Sequence, residues 1–327
     1  VFAAKKTAFN NLNLIRKLVM ESCLICQCSF DKEELTRRPY PKVGVEKGPT
    51  EIVDCPGCGV GRAMPFPTDE QLDNLIDWSE YWHIGQRPKI RPKNYPLAAG
   101  LGRKRLELVL NLYQGNFRDI SILDIGAGQG FFGIEAAKKL GEKLSQYSIV
   151  EYDPALEQDI SEAWEHYNFS GQLSYYSELA NTSGQYDFVV LSHVLEHVRD
   201  PRDFLNQSLS LLKPGGLMFI DVPHKDYRFK ENVFLHLYFY TPNILKELVQ
   251  SIGGVKVLQS DTWGRFYDQT SVGRFWSFVY RQYFRIAYQL KRVIPVQLTV
   301  KLYTHLYGGN TKNPNGTWVR LIAKKEF

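Results

Sequence analysis

Residues Ile122 to Gly130 read Ile-Leu-Asp-Ile-Gly-Ala-Gly-Gln-Gly, and a helical pattern follows at once. An apolar run ending in alternate glycines describes a buried strand that stops in a tight turn and feeds a helix N-terminus. Without Cβ atoms at Gly126, Gly128 and Gly130, the backbone can bend sharply and let a ligand lie against it. The segment Gly128-Gln129-Gly130-Phe131-Phe132-Gly133 also fits the G-x-G-x-x-G pattern of dinucleotide binders. Two features argue against that reading. The dinucleotide version places its first glycine at the strand end, whereas in this register two residues intervene. It also has no need for an acid inside the strand, where Asp124 sits.

Further segments follow in order. Ile149-Val150-Glu151-Tyr152-Asp153-Pro154 puts an acid after a second strand. Tyr186-Asp187-Phe188-Val189-Val190-Leu191-Ser192-His193-Val194-Leu195-Glu196-His197 is a strand running into a histidine-rich turn, and Leu212-Lys213-Pro214-Gly215-Gly216 opens another strand. Together these motifs resemble the class I S-adenosylmethionine (SAM) dependent methyltransferases, and within them the group with an LEHV…LKPGG pair. The resemblance covers residues ~100 to 265 and extends to bacterial sugar and glycan methyltransferases.

The expected fold is α/β, a Rossmann-like seven-stranded sheet behind a small N-terminal zinc-ribbon-like module. Strands are expected near 120–125, 147–151, 172–176, 186–191, 216–222, 255–260 and 317–325, with helices between most of them. The resemblance implies that the last strand inserts antiparallel. The expected division is an N-terminal helix and zinc-binding module at 1–64, a linker helix and flap at 65–100, and a SAM-dependent methyltransferase domain at 101–327. Leu101 to Leu112 is read as helical.

All five cysteines fall in the first 58 residues, and Cys23-x-x-Cys26 and Cys55-x-x-Cys58 form two hooks with 28 residues between them. Each hook aims two sulfurs at one ion, which suits tetrahedral Zn²⁺. Four thiolates leave no open position, so this zinc is structural. Cys28 is left as a spare thiol. The arrangement resembles the zinc-binding regions of sugar methyltransferases and, more faintly, of ribosomal-RNA methyltransferases.

The resemblance assigns the cofactor site. The loop Gly126, Ala127, Gly128, Gln129 and Gly130 would wrap the methionine part of SAM. Glu151, with Tyr152 beside it, would accept the ribose hydroxyls. Asp124 would hold the loop or reach the cofactor's amino group, and Ser192 and His193 would face the methyl. For a hydroxyl acceptor a base is needed, and histidine suits neutral pH. His236, in Phe234-Leu235-His236-Leu237-Tyr238-Phe239-Tyr240-Thr241-Pro242, resembles the H-L-Y-x-F-T segment beside the acceptor site of sugar methyltransferases. Sugar C-methyltransferases carry Glu before this histidine, where this chain has Leu235, which favours O-transfer. His236 is the first candidate base, His193 the second, and Tyr81 the candidate aromatic closing the site. His193 and His197, one helical turn apart, could alternatively hold a divalent metal.

The net charge of +5 conceals an asymmetry: between Asp268 and Glu326 there are ten Lys and Arg and no acid. Arg274, Arg281, Arg285 and Arg292 fall within about 20° of one line on a helix, opposite Trp276, Val279, Tyr283, Leu290 and Ile294. Such a stripe in the 265–315 insert suits an anionic membrane surface, a lipid-linked pyrophosphate, a nucleotide sugar or RNA; a wet lid helix is the plainer alternative. No run of eighteen apolar residues occurs, and the mixed polar start carries no leader-like apolar core, so a cytoplasmic enzyme is expected, with the inner membrane face as an alternative place of work. The expected acceptor is a small-molecule or lipid-linked sugar. An RNA base methyltransferase docked by its zinc module is the alternative, disfavoured because the module lacks a dense basic patch with stacking aromatics. A non-catalytic SAM-binding protein is the third.

Overall fold

The computed structural model describes residues 21–30, 35–42, 47–68, 70–72, 89–264, 294–306, 312–313 and 315–326, with isolated helical positions at 282, 286 and 289. Tyr81, the expected helix at ~5–20 and the stripe Arg274, Arg281, Arg285 and Arg292 lie outside the described residues, as does all but the helical start at 70–72 of the expected linker helix. No helix among the described residues is long and apolar enough to cross a membrane.

The main sheet has seven strands: β6 (Ile120–Ile125), β7 (Leu144–Val150), β8 (Gln172–Tyr176), β9 (Tyr186–Ser192), β10 (Leu212–Pro223), β12 (Val255–Trp263) and β13 (Trp318–Lys325). Their spatial order is β12-β13-β10-β9-β6-β7-β8, with β13 antiparallel to both neighbours and the pairs from β10 to β8 parallel. The central strands β6, β9 and the later half of β10 read as apolar runs because both faces are covered. Ile120 and Ile122 of β6 point into one core with helices α1 (Pro96–Leu112), α2 (Phe131–Leu140) and α3 (Pro154–His166). Leu123 and Ile125 point into the other, with α4 (Pro201–Ser210) and α5 (Pro242–Ile252). Helix α6 (Val296–Leu306) lies against α1. Three helices start alike: Asp153, Asp200 and Thr241 accept backbone N–H groups at their N-termini, each followed by a proline whose missing donor costs nothing there.

One boundary differs from the sequence reading. Helix α1 begins at Pro96, not Leu101, so the Pro- and Gly-containing stretch before Leu101 is its first turn rather than connector. Its glycines serve close packing instead of breaking the helix. A Cβ on Gly102 would sit 2.7 Å from the Phe131 carbonyl oxygen, so only glycine lets α1 cross the start of α2.

The small sheet holds the second departure. Strands β3 (Arg37–Pro39), β4 (Glu51–Asp54) and β5 (Gly61–Met64) are joined by β11 (Tyr238–Phe239), in the order β11-β5-β4-β3. The N-terminal module is thus completed by a strand from far along the chain, with Tyr238 opposite Arg62 and Phe239 opposite Gly61. A short hairpin of β1 (Glu21–Ser22) and β2 (Ser29–Phe30) carries the first cysteine hook. Cys23, Ile25, Phe30, Cys55 and Val60 are buried in the same core as β9, β10, α4 and α5. Arg202 of α4 ties the two parts further, donating to the Ile25 carbonyl at 2.6 Å and to Ser251 at 2.9 Å.

Candidate active site

Strand order reverses between β6 and β9, and in open parallel sheets the crevice beyond such a point is where ligands bind. The glycine loop leaves β6 there, and Ser192 and His193 leave β9 beside it. Gly126, Gly128 and Gly130 have φ of 67°, 52° and 65°, conformations that side chains resist. A Cβ on Gly126 would lie 2.4 Å from a Val194 methyl, so the residue is small because the β9 turn packs directly on it. Glu151, buried at the end of β7, accepts the Gly128 N–H at 2.9 Å and the Tyr152 N–H at 2.9 Å on its two oxygens. Burial raises the Glu151 pKa despite these bonds. Tyr152 itself is 69% exposed at the rim. The Gly130 N–H returns to the Ala127 carbonyl at 2.9 Å and Gln129 stays half-buried, which closes the loop into a cradle.

Asp124 lies beneath this loop, fully buried, with the Tyr147 hydroxyl donating to it at 2.7 Å. Burial pushes its pKa up to about 7, against the downward pull of Tyr147 and Arg105. Between about pH 4 and pH 7 the folded protein therefore holds a proton that the unfolded chain has released, so this group costs stability as pH rises through that window. Above it the cost reaches at most roughly 4 kcal/mol. Asp124→Asn keeps an acceptor for Tyr147 and is expected to raise the urea unfolding midpoint more at pH 8 than at pH 5. An equal change at both pH values would contradict this account.

Around the turn that leaves β9 stand three histidines and three acids. His193 has φ of 59°, and its N–H donates to the Asp221 carbonyl at 2.8 Å. The Asp221 carboxylate in turn pins Arg105 of α1 at 2.8 Å and Arg320 of β13 at 3.2 Å. Residues 195–197 form a turn, not the helix that the His193–His197 spacing suggested. Glu196 is an acid only 1% exposed, 3.3 Å from His193 Nδ1 and 3.9 Å from His197 Nε2. His197 keeps an open edge, yet burial of the ring lowers its pKa to about 4.

His236 is buried, with Nδ1 3.3 Å and 3.2 Å from the two oxygens of Asp226. Burial works to raise the Asp226 pKa, but the bond and charge of His236, with Lys230 at 2.8 Å, hold it at about 2. An ionised Asp226 fixes the ring with Nδ1–H toward the carboxylate and Nε2 free. Asp226 was not anticipated: it sits in a short turn after β10, where no periodicity marks it. The pair is supported from the small module. The Tyr40 hydroxyl donates to the Val233 carbonyl at 2.7 Å with the His236 carbonyl at 3.1 Å, and the Val233 N–H donates to Pro41 at 3.0 Å. The Ala63 N–H reaches the Leu237 carbonyl at 2.9 Å, and Arg38 donates to Tyr227 at 2.7 Å.

In the module itself, one sulfur from each of Cys23, Cys26, Cys55 and Cys58 lies within 4.8 Å of the others, a donor set that fits one tetrahedral thiophilic ion. Cys28 is no remote spare: its sulfur is 3.2 Å from that of Cys26 and 3.3 Å from that of Cys55.

The family model described as Methyltransferase domain matches residues 97–276, the span that contains the glycine loop, Glu151, the β9 turn and His236. The chain belongs to this family. The methyltransferase is similar to the ubiquinone biosynthesis O-methyltransferase of Caulobacter vibrioides, 36% identical over 110 residues, which are 32% of this chain and 41% of that one. It is also similar to that of Parvibaculum lavamentivorans, 37% identical over 109 residues, 32% and 40% of the two chains. The chain thus spans about two fifths of the length of these curated relatives. Solved structures that resemble the methyltransferase include the MccD protein (TM-score 0.47, 11% identity, 68% of this chain and 96% of that one). Another is the magnesium protoporphyrin IX methyltransferase of Synechocystis (TM-score 0.45, 12% identity, 76% and 94%). The chain carries a methyltransferase domain, and the two relatives named above bear an O-methyltransferase name rather than that of a sugar enzyme.

Proposed function

We propose that this protein transfers a methyl group from SAM to a hydroxyl of a small acceptor, first among them a sugar hydroxyl of a nucleotide sugar or glycan. The observation that carries the reading is the buried His236–Asp226 pair, held by backbone bonds beside the 193–197 turn whose Val194 packs on Gly126 of the glycine loop. A histidine whose Nδ1 is held by an ionised carboxylate presents a free Nε2, the arrangement needed to take a proton from a hydroxyl near neutral pH. SAM supplies an activated methyl on sulfonium, so the protein has only to bind, align and deprotonate. Gly126, Ala127, Gly128, Gln129 and Gly130 would cradle the methionine part, Glu151 the ribose, with Asp124 below and Tyr152 at the rim. Ser192 and His193 would line the methyl's path. The four cysteines Cys23, Cys26, Cys55 and Cys58 would hold a structural zinc.

The sugar assignment draws on the His236-Leu237-Tyr238-Phe239-Tyr240-Thr241 segment and on the module that supports it. A second reading, a phenolic hydroxyl, draws on the printed name of the relatives. Labelled methyl transferred from SAM into an extract, separated into nucleotide sugars, lipid-linked glycans, phenolic quinone precursors and RNA, distinguishes them. Label in either sugar pool supports the first reading and label in the phenolic pool the second. Label confined to RNA would overturn both.

A further inference from the structure

We infer that Glu196, His197 and His236 form a second metal centre, separate from the thiolates, that binds a borderline divalent cation such as Co²⁺ or Zn²⁺ at the acceptor side of the crevice. Each residue offers one ligand atom, and the three atoms lie within 4.8 Å of one another. The carboxylate is buried, and its Oε2 has no hydrogen-bond partner among the described residues, a costly state for an acid unless a cation faces it. Both rings are oriented from behind. His197 Nδ1 is 3.1 Å from the Leu235 carbonyl oxygen, to which it donates, and His236 Nδ1 donates to Asp226. Each bond fixes the tautomer that frees Nε2, as outer-sphere partners do for metal-bound imidazoles. The rings stand edge to face with centroids 4.9 Å apart. The Leu237 and Tyr238 N–H groups both donate to the Glu196 carbonyl, at 2.7 and 3.3 Å, so the two segments that carry the ligands are registered against each other by backbone bonds.

Two imidazoles and one carboxylate suit cobalt, zinc or ferrous iron better than magnesium, and three protein ligands leave positions open for an oxygen of the acceptor. This use of the site rests on the hydroxyl-methylating reading. The hydroxyl oxygen coordinates the cation and its O–H bond breaks, releasing the proton to solvent. The oxygen pair then forms the O–CH₃ bond as the CH₃–S bond breaks, its electrons returning to sulfur to give a neutral thioether. Nothing is oxidised or reduced. In this state His236 is a ligand rather than the proton acceptor.

The test reads binding of the cation alone, without SAM or acceptor, so its outcome is independent of the methyl-transfer assay. The whole chain, loaded with one equivalent of zinc for the four thiolates, is incubated with Co²⁺ and desalted, then cobalt and zinc are counted by elemental analysis and the visible spectrum recorded. One cobalt per chain beside the retained zinc, with weak nitrogen/oxygen ligand-field bands and no intense thiolate charge-transfer absorption, is expected. His197→Ala and Glu196→Gln should each lower cobalt affinity at least tenfold while zinc content and SAM binding stay at wild-type levels. The inference is overturned by wild-type protein that takes up no cobalt, by cobalt that enters only the thiolate site, or by variants that bind it as wild type does.

Discussion

An Asp226→Asn enzyme is expected to bind SAM as tightly as wild type and to turn over about 10²–10⁴-fold more slowly. The amide can present its NH₂ to His236 Nδ1, which turns the tautomer over and leaves Nε2 carrying the hydrogen. Such a ring can neither accept a proton from the acceptor nor ligate a cation. Because Asp226 is held at about 2, the wild-type carboxylate stays ionised throughout the working range, and the loss should be nearly independent of pH from 6 to 9. His236→Ala should lose at least as much. Single-turnover methyl transfer together with calorimetric SAM titration checks both. Undiminished turnover in Asp226→Asn, with SAM binding intact, would remove the pair from the mechanism.

The second large effect is expected far from the crevice. Stripping the thiolate site with a chelator, or changing Cys55→Ser, should lower turnover on the order of 10²-fold or more, although no cysteine faces the acceptor. The link is a set of hydrogen bonds from the module to the segment 224–240. Binding at a four-thiolate site is worth roughly 10–16 kcal/mol of folding free energy in small zinc modules. Without it, strands β3 to β5 lose what holds them together, and Tyr40, Ala63 and Arg38 release the segment 224–240 that carries Asp226 and His236. Hydrogen exchange should rise at residues 233–240 while β6, β7 and β9 keep their protection. Full turnover by metal-free protein with unchanged exchange would show that the module is only attached to the enzyme and not part of it.

Much of this was legible in the sequence, for identifiable reasons. Parallel strands buried on both faces have to be apolar throughout, so β6, β9 and the later half of β10 stand out as runs, and the glycine loop marks where the ligand lies. Paired cysteine hooks are equally local. What stayed hidden depends on contacts between distant segments. Asp226 meets His236 through a turn with no periodic signal. Strand β11 is two residues long and earns its place only by pairing with β5, more than 170 positions earlier in the chain. Glu196 looks like a cap until the turn at 195–197 points it between the imidazoles. The first turn of α1 reads as connector because the stretch up to Gly100 is rich in Pro, Lys and Arg, and sequence alone does not reveal that Pro96 starts the helix.

The shared small sheet also governs how the protein is made and how it can be cut. The edge of β5 has no strand partner until residues 238–239 have left the ribosome, so the first quarter of the chain waits with an open β edge during synthesis. A fragment trimmed to the span matched by the family model would keep β11 but discard the strand it pairs with. It would also uncover the core face that Ile25, Phe30 and Val60 close. The border drawn by the family model therefore runs through the middle of a folding unit.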